Sequence, residues 1–267
     1  MSTATDSAPG EPLLIERSGP VAVVTMNRPH RRNAMDLAMI NLLARAWDEI
    51  DADDDVRVAI LTGAGDTYCV GGDLGDGWMT GGRGRADYDP AAIGRGLLLT
   101  GPLRKPLIAA VNGACLGGGL EMLQQTDIRV AEEQATFGLP EVQRGLIPGA
   151  GSTVRLKRQI PYTKAAEMIL TGDPLTAREA YEFGLVGQVV PVGGALSRAR
   201  ELADRIARNS PLAVQHAKAS LLASGWLPEE DARKIEGRFV REVLTSDDAR
   251  EGRKAFVEKR EPRYTGR

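Results

Sequence analysis

Two short apolar runs, each delivered into a glycine-containing turn, constrain this chain most. VRVAILTG at 56–63 and LIAAV at 107–111 are bounded by turn residues and read as strands buried on both faces. The first is followed by YCVGGDL at 68–74 and the second by NGACLGGGLEM at 112–122, which runs on into a helix. Strand, glycine turn and helix in succession predict an α/β layered fold with crossover connections, in which ligands sit at the strand ends.

The flanking segments fit that frame. LLIERSGPVAVVTMN alternates β-branched and polar residues around Gly19-Pro20, the pattern of a hairpin that opens a sheet. From Asp36, a candidate cap, Leu37, Ile40, Leu43, Ala44, Trp47 and Ile50 fall at helical spacing, and the acidic DADDD that follows reads as a solvated loop. GDGWMTGGRGRADYDP, with five glycines, predicts a loop with little but Trp78 and Met79 to hold it, either a lid over a site or a surface insertion. Beyond Val190 only helical signals occur, so the expected organisation is a leader over 1–12, a core domain over 13–192 and a helical region over 193–267.

Composition excludes several classes of function. Lys+Arg of 34 against Asp+Glu of 36 gives 34 − 36 = −2, so no field of one sign draws in nucleic acid or a membrane surface. The opening MSTATDSAPGEP lacks both a basic start and an apolar run, which reads as a leader without a secretion signal. Charges interrupt every candidate span, so a soluble protein is expected. Cys69 and Cys115 are too few for a disulfide framework and point to a reducing, cytoplasmic compartment. With two histidines and no clustered Cys or His, a metal site is not expected.

Chemistry enters through the glycines and two carboxylates. Glycine admits a close backbone approach or positive φ, and the first amides of a helix point outward, so two such turns can aim two N–H groups at one oxygen. Tight packing turns are the alternative reading. Glu121 lies just inside the helix after GGG, and Glu141 lies in ATFGLPEVQRGLIPGAG, where Pro140 and the glycines predict a rigid entry to another helix. A paired acid and base suits hydration of a double bond, and proximity would raise the pKa of one of them. Sequence spacing alone does not bring the two together.

The order of motifs resembles the enoyl-CoA hydratase/isomerase, or crotonase, family over nearly the whole chain. The resemblance rests on NRPHRRNAMD at 27–36, DTYCVGGDL at 66–74, KPLIAAVNGACLGGGLEM at 105–122, ATFGLPEVQRGLIPGAGSTVRL at 135–156, LTGDPLTAREAYEFGLVGQVV at 170–190 and the terminal AFVEKR. It implies a crotonase-like fold of repeated ββα units with a C-terminal helical oligomerisation region, and trimers paired into hexamers. It also implies an oxyanion hole from the amides of Gly72 and Gly118, with Glu121 and Glu141 as catalytic residues. Arg28, Arg31, Ala34, Gly71, Gly72, Asp73, Leu74, Gly118 and Lys259 would lie against the CoA moiety, with Arg32 a further candidate for its phosphates. The expected reaction is syn addition of water to a trans-2-enoyl-CoA giving a 3-hydroxyacyl-CoA, the alternatives being another acyl-CoA reaction on the same fold (double-bond isomerase, dehydratase or thioester hydrolase) or a non-catalytic scaffold. No cofactor is expected, since CoA enters as part of the thioester. QQTD at 124–127 departs from the small apolar residues usual there and predicts a helix facing a polar pocket.

Rival patterns are weaker. GACLG at 113–117 matches a nucleophile elbow with cysteine, but its only downstream histidine, His216, lies within a helical run. GAGS at 149–152 lacks the third glycine and the preceding strand of a dinucleotide fingerprint.

Overall fold

The computed structural model describes residues 10–81 and 84–267, so residues 1–9 of the expected leader lie outside the described residues. The hairpin forms as its alternation predicts, with β1 (Leu13–Ser18) and β2 (Val21–Met26) antiparallel across Gly19. Asp36 caps α1 (Leu37–Ala52) by accepting from the Met39 amide at 2.9 Å, and the helix buries the predicted face from Leu37 to Ile50.

Three further units each place two strands before a helix. β3 (Val58–Gly63) and β4 (Thr67–Cys69) precede α2 (Trp78–Gly81) and α3 (Pro90–Gly96). β5 (Leu107–Val111) and β6 (Ala114–Leu116) precede α4 (Gly118–Leu123), and β7 (Ile128–Glu132) and β8 (Thr136–Gly138) precede α5 (Ser152–Gln159). After α6 (Tyr162–Thr171), β9 (Leu175–Thr176), α7 (Ala177–Glu182) and β10 (Gln188–Val190) come four helices, α8 (Ala195–Ala207), α9 (Pro211–Ser224), α10 (Glu229–Leu244) and α11 (Asp247–Glu258). This is the repeated ββα architecture expected of the sequence.

The first strand of each of these units joins a six-stranded sheet of order β1-β2-β3-β5-β7-β10, parallel except for β1. The second joins a smaller sheet of order β4-β6-β8-β9. That division positions the site. β4 and β6 pair parallel with Cys69 opposite Cys115, so the two glycine turns that follow them emerge side by side.

Both faces of the large sheet are covered, as the continuous apolar runs require. Val21, Val23, Val58, Ile60, Ile108 and Ala110 pack against α8, which presents Ala195, Ala199, Ala203 and Ala207 at four-residue spacing and so sits close to the strands. The alternate residues, Ala22, Val24, Met26, Ala59, Leu61, Leu107 and Ala109, join the main core with α1.

One ion pair, buried at its lysine end, docks α9 on this core. Lys218 Nζ donates to Asp127 at 2.7 Å and to the Lys105 carbonyl at 2.9 Å, while the same Asp127 oxygen accepts the Leu107 amide at the start of β5. Removing the cation leaves Asp127 with the Leu107 amide as its remaining donor. Lys218→Met is therefore expected to lower stability by about 1–2 kcal/mol, below the cost of breaking a fully buried pair, because Asp127 is partly exposed and keeps the Leu107 amide. Denaturant unfolding of wild type and variant measures this, and a loss under about 0.5 kcal/mol would show the pair to be dispensable.

Candidate active site

The Gly71–Asp73 turn is shaped by its pairing with Met35. Met35 N donates to the Gly71 carbonyl at 2.8 Å and Asp73 N donates to the Met35 carbonyl at 2.9 Å, a parallel bridge centred on Gly72. In such a bridge the central residue's own N–H faces away from the partner strand. The Gly72 amide is thus left free of the Met35 strand, and the second glycine turn lies beside it. There Gly117, at φ +53° and ψ −129°, precedes α4, and Gly118 is the first helical residue, whose amide has no acceptor within the helix. A Cβ placed on Gly118 would lie 3.6 Å from the Gly72 nitrogen, and one on Gly71 would lie 2.9 Å from the Gly118 nitrogen. The two turns are therefore in contact, and among the described residues neither the Gly72 nor the Gly118 amide has a protein acceptor.

Glu121, on the fourth residue of α4, is buried at 4% exposure. Its Oε1 accepts the amides of Ala150 at 2.7 Å and Ser152 at 3.1 Å, at the N-terminal end of α5, while Oε2 accepts nothing from the described residues. Burial pushes its pKa up to about 7, the Ser152 amide opposes that rise, the neighbouring Glu141 carboxylate adds to it, and the Ala150 amide and Arg155 oppose it.

The FG-L-PE stretch forms a 3-10 turn over Pro140–Arg144 in place of the direct helix entry expected. Pro140 sits at its start, where a missing N–H costs nothing. Glu141 Oε1 lies 3.3 Å from where a Cβ on Gly117 would stand, so a side chain there would crowd the carboxylate. Glu141 Oε2 is buried with no hydrogen-bond partner among the described residues, and burial raises its pKa as well. The structure thus brings Glu121, Glu141, Gly72 and Gly118 to one place. Each carboxylate has at least one oxygen free for a ligand, and both hold protons at higher pH than exposed glutamates do.

Of the residues expected against CoA, Gly71, Gly72, Asp73 and Gly118 belong to the converging turns, and Leu74 follows at 57% exposure. Ala34 is buried directly before Met35, and Arg31 is exposed on the short 3-10 turn Pro29–Arg31, with Arg32 just beyond it. Arg28 has protein partners of its own. Its Nη2 lies 3.0 Å from Asp73 and 3.1 Å from Asp36, and its Nη1 donates to the Ala34 carbonyl, so its charge fixes the turn from inside. Lys259 caps the end of α11 in the left-handed region, and its side chain makes no hydrogen bond or ion pair with the described residues.

The glycine-rich segment is better held than its composition suggests. Trp78 Nε1 donates to the Met35 carbonyl at 3.0 Å, Met79 and Trp78 cover Gly72, and Arg85 pairs with Asp76 and Asp87. Residues 82 and 83 lie outside the described residues. The rival patterns resolve structurally. Cys115 is buried on β6 with its thiol pushed well up by burial, and His216 is bound to the Leu212 carbonyl and to Glu242. The GAGS segment spends its Ala150 and Ser152 amides on Glu121. Sequence reasoning missed this clamp, although a glycine before a small hydroxyl residue at a helix start was its visible signal. It also missed Asn33, fully buried at φ 55°, which donates to the Ala64 and Thr67 carbonyls and holds the first motif against β4.

The family model for enoyl-CoA hydratase/isomerase matches residues 16–267. Enoyl-CoA hydratase EchA19 of Mycobacterium tuberculosis is 48% identical over an alignment covering 97% of this chain and 98% of that protein. A solved structure from Mycobacterium abscessus, assigned to the enoyl-CoA hydratases/isomerases, is 68% identical with a TM-score of 0.89, covering 96% of this chain and all of that one. The crystal structure of an enoyl-CoA hydratase from Mycobacterium tuberculosis has the same TM-score at 41% identity, again covering 96% of this chain and all of the other.

Proposed function

Because the chain belongs to the enoyl-CoA hydratase/isomerase family, we propose that it adds water to a trans-2-enoyl-CoA to give a 3-hydroxyacyl-CoA. The observation that carries this reading is the buried Glu121 and the half-buried Glu141, each with a free carboxylate oxygen, beside two unpaired amides. The thioester carbonyl accepts from the Gly72 and Gly118 amides, which stabilise the enolate as negative charge moves onto that oxygen. Glu121, held by Oε1, uses Oε2 to orient water and take its proton as the hydroxyl bonds to the β carbon. Glu141 delivers a proton to the α carbon on the same face, so the addition is syn. Each carboxylate ends in the other's starting state, and a proton passing between them resets the pair. No cofactor takes part in this scheme, since CoA arrives with the substrate.

On the CoA side, the exposed Arg31 and Arg32 are placed to meet phosphate, with Lys259 a third candidate if another copy of the chain brings α11 to the site. A homotrimer, or a hexamer of two trimers, suits the C-terminal helices, where Leu221 and Phe256 are 75% and 85% exposed. Among the described residues no helix is long and apolar enough to cross a membrane, and the two cysteines are buried free thiols, which fits the cytoplasmic placement proposed here.

The test is the loss of conjugated enoyl-thioester absorbance with short and medium trans-2-enoyl-CoAs. Wild type is expected to consume at least one of them. An enzyme that binds acyl-CoA yet leaves every enoyl thioester intact would require another reaction on the same site.

A further inference from the structure

We infer that Gln124 and Ser152 form a side-chain clasp that positions the Glu121 carboxylate, making both of them positioning residues for the reaction proposed above. Gln124 lies one helical turn after Glu121 and points the same way. It is 2% exposed, and its Nε2 donates to Ser152 Oγ at 2.5 Å. Ser152 is fully buried, and its backbone N–H is one of the two that hold Glu121 Oε1. The first residue of α5 is therefore gripped twice from α4, through its hydroxyl and through its amide.

Gln124 makes poor sense as packing alone. Its Oε1 is buried without a hydrogen-bond partner among the described residues, a state that costs stability and that methionine, of similar size, would avoid. The polar pocket expected around QQTD thus exists, and its contents lead to the carboxylate. Gln159 adds a bond of another kind, from its Nε2 to the Gln124 carbonyl at 2.8 Å, which joins α4 and α5 without touching Ser152.

The sign of the effect follows from what the clasp holds. A donor to the ionised carboxylate favours that form, so loosening the Ser152 amide makes Glu121 harder to ionise. The other charged groups facing Glu121 are Glu141 on the 3-10 turn, with Arg144 beside it, and Arg155 on α5, which donates to the Ala150 carbonyl at 2.9 Å. None of these is altered by substituting Gln124 or Ser152. If Glu121 must be ionised to take the proton from water, the acidic limb of kcat/KM moves to higher pH when the clasp is cut.

The experiment compares Gln124→Met, Ser152→Ala, the double variant and Gln159→Met. Each clasp variant is expected to shift the acidic limb upward by about 0.5–1 pH unit. The double variant should shift it no further than either single, because both remove one contact. Gln159→Met should leave the limb in place whatever it does to the melting temperature. A limb unmoved in both clasp variants, or shifts that add in the double, would overturn the inference. The same titration can be followed without substrate by NMR of the Glu121 side-chain carboxyl, assigned by its absence in Glu121→Gln. If wild type hydrates no enoyl-CoA, that readout still decides whether the clasp exists, so failure of the proposed reaction and failure of the clasp remain distinct.

Discussion

Glu141→Gln is expected to reduce the proposed hydration rate by about 10³-fold, within the 10²–10⁴ that positioned proton transfer contributes, and to leave acyl-CoA binding within a few-fold of wild type. Glutamine keeps the shape of the side chain and can still meet a water through its amide, but it cannot deliver a proton to the α carbon. The site tolerates the exchange structurally, because Glu141 Oε2 has no protein partner to lose. Glu121→Gln is expected to cost a similar factor, since an amide can keep one bond to the Ala150 and Ser152 amides but cannot take a proton from water. The double variant should be little slower than either single one, because the two groups act as a unit. With the Glu121 pKa near 7, wild-type activity should decline below neutral pH, and a residual Glu121→Gln activity should lack that limb. Rates within tenfold of wild type in both single variants would remove the carboxylate pair from the mechanism. Loss confined to Glu141→Gln would leave one glutamate doing the chemistry, as a double-bond shift rather than hydration would require.

Much of this arrangement was legible because it is local. The Asp36 cap, the apolar face of α1 and the fully buried β3 and β5 follow from spacing and composition in short windows. The two glycine turns were visible for the same reason, and the motif order supplied the fold. What spacing could not supply was contact between distant segments. Gly72 faces Gly118 because β4 and β6 are neighbours in the small sheet, a pairing that no window of sequence records. Glu121 and Glu141, 20 residues apart in the chain, meet only after β7 and β8 return the backbone to the same edge. Arg28 shows the converse. Its position among arginines suggested a phosphate contact, whereas Asp36 and Asp73 take up its charge. The clamp on Glu121 was hidden because its donors are backbone amides, which leave little compositional trace beyond the glycines around them.

Gly71→Ala should lower kcat by about 10²–10³-fold, an effect equivalent to losing one oxyanion donor at about 2.7–4 kcal/mol. Gly71 has φ +99°, a region L side chains rarely adopt, so alanine there is strained before any contact is counted. Its Cβ would also stand 2.9 Å from the Gly118 nitrogen and 3.2 Å from the Leu116 carbonyl, both backbone atoms that cannot swing aside. The turn must therefore move, and it carries the Gly72 amide with it. Gly72→Ala provides the contrast. Its Cβ would meet the Sδ and Cε of Met79 at 2.9 and 3.0 Å and the Trp78 ring at 3.2 Å, side-chain atoms all, of which the half-exposed Met79 end can yield and the ring need give only a few tenths of an ångström. That substitution should cost less than about tenfold in kcat if the amide pair is the working element, even though Gly72 is the residue proposed to donate. Steady-state kinetics on one enoyl-CoA, with circular dichroism to confirm that both variants are folded, reads the difference. If alanine at 71 leaves kcat within several-fold of wild type, the converging amides do not stabilise the transition state. If alanine at 72 is the more damaging of the two, Met79 and Trp78 matter more than the backbone donors, and the cover over Gly72 becomes the element that holds the thioester.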